Sequence, residues 1–176
     1  MSSNTNFPIF SSNMNFNSST IKEGGQKVQC TVWTCCWCNV KIPLTGEWYY
    51  EYITDSFTYA WMGIGKIFVG TSNQHNNGFG FTQNGEYRYN GSNQYGGSGT
   101  SGNIGTGDIV GVYVNDGVVK VYVNNTLDFT FTQNLSALAT DQIYPWAVGS
   151  SNVTVNFGQD SSFLNVKTAQ GNTDKN

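Results

Sequence analysis

Hydrophobic and polar positions alternate with a period of two along most of the chain. Nowhere is a helical period sustained. The plainest case is a hairpin. Its arms, Gly107–Val114 and Val118–Val123, are dominated by β-branched and aromatic residues, and Asn115-Asp116-Gly117 supplies the positive φ angles of a tight turn. On the return arm Val119, Val121 and Val123 share a dry face, with Lys120 and Tyr122 on the wetter one. A strand over 46–53 puts Trp48, Tyr50 and Tyr52 on one face and Glu47, Tyr49 and Glu51 on the other. Leu127, Phe129 and Phe131 alternate with Asp128, Thr130 and Thr132 in a further half-buried strand.

Shorter strands are predicted at 20–22, 27–33, 40–42, 59–66, 79–81, 87–89, 143–148 and 153–157, with one helical turn at 135–138. Gly63 and Gly65, inside a strand, mark the close approach of a neighbouring backbone or side chain. Asn84-Gly85 turns one aromatic strand into the next. Residues 71–78 and 90–106 are too polar and glycine-rich to bury, which predicts surface loops. Residues 1–17 read as an extended entry segment, 18–163 as the domain and 164–176 as a polar tail. Ten or more short strands with almost no helix predict an all-β sandwich of two antiparallel sheets.

Composition narrows the function. Only 11% of residues are charged, against about 25% in ordinary domains. The net charge of −3 and the scattered Lys and Arg exclude an electrostatic nucleic-acid binder. No apolar run approaches a membrane span, and no leader pattern follows Met1. Cys30, Cys35, Cys36 and Cys38 are too crowded for a disulfide framework, which suggests a protein made in a reducing cytoplasm. In an extended segment Cys30, Cys36 and Cys38 share a face opposite Cys35. They lack paired zinc knuckles and read as buried free thiols, although one disulfide whose partners cannot be assigned stays open.

Catalysis finds no footing. No Gly-x-Ser-x-Gly elbow accompanies the single histidine, His75. Glu47 and Glu51 are roughly 13 Å apart along a strand, beyond the ~5–9.5 Å of glycosidase pairs. The glycine loops of 96–105 have no following Lys-Ser/Thr. The reading is non-enzymatic, with no metal and no cofactor. Trp48, Trp61, Phe81, Tyr122, Trp146 and Phe157 lie in apolar patterns and are assigned to the core. Tyr87, Tyr89 and Tyr95 sit beside polar loops. With His75, Asn76, Asn77 and Asn93 they make the predicted binding surface.

Several segments, read in order, resemble a SPRY domain: Gly46–Glu51, Met62–Gly65, Gly78–Phe81, Gly107–Val112, Val119–Asn125, Tyr144-Pro145 and Val155–Gly158. The resemblance spans roughly Phe10 to Gly158 and implies a bent β-sandwich that recognises partners. Asn156–Phe163, Lys167–Asn172 and the entry Thr20–Val28 are similar to SPRY modules in virion proteins of bacteriophages, notably marine ones. That implies a virion component assembled in the host cytoplasm, forming head decoration, fibre or tail. Its partners would be other virion proteins or copies of itself, and a host-surface glycan or protein. The chain stops at Asn176, where such polypeptides typically continue, so it is either a free-standing module or part of a longer protein. Two departures stand out: Asn124-Asn125-Thr126 replaces the usual Asn-Gly turn, and the cysteine cluster is foreign to the family. An intracellular peptide-recognition adaptor and a lectin-like glycan binder are the competing readings.

Overall fold

The computed structural model describes residues 10–15, 20–22, 27–30, 35–39, 41–66, 78–90, 92–95, 104–131, 133–137 and 143–157. Twelve strands are present among them: β1 Phe10–Asn15, β2 Thr20–Lys22, β3 Lys27–Cys30, β4 Cys35–Cys38, β5 Glu47–Gly65, β6 Gly78–Thr82, β7 Tyr87–Tyr89, β8 Ser92–Tyr95, β9 Ile109–Asn115, β10 Val118–Val123, β11 Thr126–Thr130 and β12 Tyr144–Asn156. A 3₁₀ turn covers Leu135–Ala137. All the pairings are antiparallel.

Two long strands organise the molecule. β5 and β12 pair with each other from Glu51↔Asn156 to Gly65↔Tyr144 and run through both layers. One layer has the order β1-β4-β12-β5-β6-β7-β8 and uses Trp146–Val148 and Trp61–Gly65. The other has the order β2-β3-β12-β5-β9-β10-β11 and uses Ser151–Thr154 and Glu47–Ile53. The register slips where the two halves meet, at Ser150/Ser151, and again just inside the second, at Asn152/Val153, and Gly149 holds φ +121. Extra residues in one strand of a pair bend and twist the sheet. The polar stretches around 55–56 and 150–152 thus mark a corner inside continuous strands, where the sequence suggested strand ends.

Side chains from both layers meet in one core. Met62, Ile64, Phe79, Phe81, Tyr87, Cys36 and Cys38 face Tyr50, Tyr52, Val110, Val112, Val114, Val119, Val121 and Val155. Contacts across the gap include Phe79 with Phe131 at 4.0 Å and Tyr87 stacked on Phe129 at 4.2 Å. Tyr52 brings a hydroxyl into the core. It lies 3.0 Å from both Gly63 O and Trp146 O and so joins the layers by a hydrogen bond. Burial raises its pKa first, and its neighbours Tyr50 and Cys38 add to the rise. Gly63 shows the close approach expected of it: a Cβ there would collide with Phe79 O and with the Trp146 ring.

Both hairpin turns depend on positive φ. Asp116 and Gly117 adopt φ +45 and +81, and Asn124 and Asn125 adopt +47 and +68. Asn tolerates this region better than other side chains, so Asn-Asn serves where Asn-Gly is customary. The predicted strand at 40–42 reduces, within the described residues, to one bridge, Ile42↔Ile143. The predicted loop at 90–106 contains a strand, β8.

Candidate binding surface

Two of the three exposed large hydrophobic residues among the described residues, Val118 and Leu127, lie on the face of the β5-β9-β10-β11 layer turned away from the core. Strand pairing sets its rows. Glu51, Gly111, Tyr122 and Leu127 lie side by side across four strands, as do Tyr49, Tyr113, Lys120 and Thr130. Glu47, Asn115 and Val118 make the third row. Leu127 is 45% exposed and Val118 37% exposed. Tyr49, Tyr113, Tyr122 and Lys120 are half-buried.

Two local devices shape this face. The first is Gly111. With no side chain there, the Tyr49 ring lies across β9 in the space a Cβ would take. Its hydroxyl donates to Glu51 Oε1 at 2.8 Å. Burial of the phenol, and then the Glu51 carboxylate, raise its pKa. Tyr113 is likewise tied to Glu47 and Asn115, and its pKa is raised by desolvation first and Glu47 next. The second device is a bulge. Val121 pairs with Phe129 but Tyr122 pairs with Leu127, so Asp128 is the extra residue. The slip turns Leu127 outward and Asp128 inward, reversing the phase read from simple alternation. Asp128 is 5% exposed and accepts a hydrogen bond from the Tyr87 hydroxyl.

The predicted binding residues scatter. Tyr87 is fully buried, stacked on Phe129 and bonded to Asp128, so its assignment to an exposed surface is corrected. Pairing of Tyr87 with Phe81 puts its side chain on the core face, where its hydroxyl finds the one inward carboxylate of β11. Tyr89 is half-buried with its ring 4.7 Å from Phe79, and belongs to the core margin. Asn93 and Tyr95 lie on β8, the last strand of its layer among the described residues, opposite Arg88 and Tyr87. His75, Asn76 and Asn77 lie outside the described residues.

Two core assignments also change. Trp48 is 40% exposed. It is the second residue of β5, where the layer gives out beside the Gly46–Asp116 contact, and its indole N–H donates to Thr45 O at 3.2 Å. Tyr122 belongs to the outer face. Trp61, Phe81 and Trp146 are buried as expected, and Phe157 stacks on Tyr50 at 5.3 Å. The missed residues Tyr49, Tyr113, Leu127 and Val118 left partial signals. Glu47-x-Tyr49-x-Glu51 and Lys120-x-Tyr122 are amphipathic stripes, whereas Leu127 needs the bulge.

Tyrosine rings on a rigid sheet present large, stiff, amphipathic area at low conformational cost, which suits protein recognition. Among the described residues no group of three or more His, Cys, Asp or Glu is placed to hold a metal. No helix there is long and apolar enough to cross a membrane.

No protein-family model matches the sequence, and no curated protein is significantly similar to it. Solved structures do match the fold. The SPRY domain of human HERC1 superposes with a TM-score of 0.66 at 12% identity, over 86% of this chain and 99% of that domain. Stonustoxin gives 0.64 at 16% identity over 85% of this chain, which spans 26% of the toxin chain. The TRIM65 PSpry domain gives 0.61 at 14% identity, over 84% and 90% of the two chains. The chain therefore has a SPRY-like fold.

Proposed function

We propose that this protein is a non-catalytic interaction module that docks a protein partner on the outer face of β5-β9-β10-β11. The observation that carries the reading is the outer face on which Val118 and Leu127 are exposed beside the half-buried Tyr49, Tyr113 and Tyr122, with Lys120 among them and Glu47 at one end. Interface cores favour tyrosine and apolar groups, with charge at the rim. The setting we propose is a phage particle, as head decoration, fibre or tail component, in contact with other virion proteins or copies of itself. The support is the similarity of Asn156–Asn172 and Thr20–Val28 to virion SPRY modules. Immunogold imaging of purified particles with an antibody against this chain is expected to label one class of virion structure. Particles that carry no label, from lysates rich in the protein, would sink the virion assignment.

A second reading is an intracellular adaptor that grips a short peptide. The likeness to the HERC1 and TRIM65 domains favours it. It predicts one stoichiometric host protein in a pull-down and no label on particles. A host-surface glycan on the tyrosine face is a third outcome, read by a glycan array.

A further inference from the structure

The cysteine cluster plays no part in that surface, and its placement is unusual. β3 and β4 lie one after the other along the same edge of β12: Cys30 is opposite Ser151, and Cys36 is opposite Ala147. β3 belongs to one layer of the sandwich and β4 to the other. Four residues of straight strand separate their partners, roughly 13 Å. Yet Cys30 Sγ and Cys36 Sγ are 4.0 Å apart. The fold of β12 at Gly149 and Ser150 closes that gap by turning the core faces of the two layers toward each other. Neither cysteine is in a disulfide, and both are buried.

We propose that Cys30 and Cys36 are a reversible disulfide site, formed on passage into an oxidising medium, that staples the two layers at their shared corner. A disulfide needs its sulfurs about 2.05 Å apart, so the pair must close by ~2 Å, within reach of side-chain rotation. The oxidant is a low-molecular-weight disulfide such as oxidised glutathione. The Cys30 thiolate attacks one of its sulfurs and releases one glutathione thiolate, which takes up a proton. Cys36 loses its proton and attacks the mixed disulfide at Cys30, releasing the second glutathione. Two protein thiols are oxidised and one glutathione disulfide is reduced to two thiols. Both thiols are buried, so the exchange proceeds through local opening of this corner, which sets its slow time scale. Cys38 stands aside: burial, and then Cys36, raise its pKa and keep it a thiol. The inference does not depend on which partner the module binds.

The full chain, purified under reductant, is exchanged into oxidised glutathione at pH 8 and mapped by non-reducing peptide mass spectrometry over several days. The expected product is a monomer with a single Cys30–Cys36 link, reversed by dithiothreitol. Its Tm should rise by roughly 5 °C, from the restricted unfolded chain. Cys35→Ala and Cys38→Ala should keep the link, and Cys36→Ala should lose it. Four free thiols at the end of the incubation, a link between any other pair, or a disulfide-bonded dimer would each overturn the proposal. The wild-type map decides the matter even if a variant fails to fold.

Discussion

The two layers turn very different faces away from the core they share. On the β4-β12-β5-β6-β7 side, Trp37, Trp61 and Trp146 gather with Val148 and Tyr144, and all three indoles are buried. Trp146 lies over Gly63, and the Arg88 guanidinium sits 4.8 Å from the Trp61 ring. On the β5-β9-β10-β11 side, Tyr49 lies over Gly111, while Leu127 and Val118 stand in solvent. Both faces use one device, a glycine roofed by an aromatic ring. They differ in what surrounds the ring. The indoles pack on one another, while the tyrosines tie their hydroxyls to Glu51 and Glu47. Aromatic content alone therefore does not mark a binding face. One set completes a second apolar cluster, and the other leaves apolar area to be covered.

The glycine pair gives the sharpest way to break this comparison. Gly63→Ala puts a methyl group against the carbonyl oxygen of Phe79 and the Trp146 ring; the backbone cannot yield and the ring is fully buried. The expected loss is about 3–5 kcal/mol, at the top of the range for single substitutions. Gly111→Ala meets only the ring end of Tyr49, which can swing toward solvent at a cost near 1 kcal/mol, the order of one hydrogen bond. Urea unfolding of the two variants beside the wild type measures both. Equal losses would mean that the tyrosine face is packed as firmly as the indole face.

High pH tests the buried phenols of the core next. Tyr50 and Tyr52 have pKa values raised above the usual 10, with burial the largest cause in each. Below pH 10 both states hold the phenol proton and the contribution is fully present. Above it the unfolded chain releases the proton first, so it binds fewer protons than the native state and stability falls as pH rises. The slope is at most about 1.4 kcal/mol per pH unit for each tyrosine. Unfolding free energies at pH 8, 9, 10 and 11 should show this fall. Tyr52→Phe should reduce its steepness by one tyrosine's share. A stability profile level to pH 11 would contradict the neutral, buried state of these phenols.

Much of this architecture was legible in the chain. The alternation of Val119, Val121 and Val123 with Lys120 and Tyr122 separates inner from outer positions, because side-chain direction in a regular strand has a strict period of two; the core assignment of Tyr122 failed where it followed aromatic character instead of that period. Where the count breaks, so did the reading. One extra residue at Asp128 reverses the phase, turning Leu127 outward and giving Tyr87 a buried acceptor. No propensity marks that position. β5 and β12 were each read as two strands because 55–56 and 150–152 are polar. Those stretches lie opposite one another at the corner, where both strands bend together. The sulfur pair was out of reach for the same reason. Cys30 and Cys36 share a face in any extended reading, but they meet only because β12 folds.

The smallest expected effect concerns Leu127. At 45% exposure Leu127 stands nearly half in solvent on the outer face, and surface substitutions usually stay within about 0.5 kcal/mol, so Leu127→Asn should change stability by no more than that. It packs no core cluster, and the inward role in its strand belongs to Phe129 and Asp128. Thermal unfolding should therefore return the wild-type Tm within about 2 °C. A loss above 2 kcal/mol would show Leu127 covered in solution, by another stretch of the chain or by a second copy. Repeating the measurement across a hundredfold range of protein concentration separates these cases, since only a second copy makes the loss depend on concentration. An unchanged Tm leaves the tyrosine face as open area on a sheet that does not need it for folding, the condition a docking surface must meet.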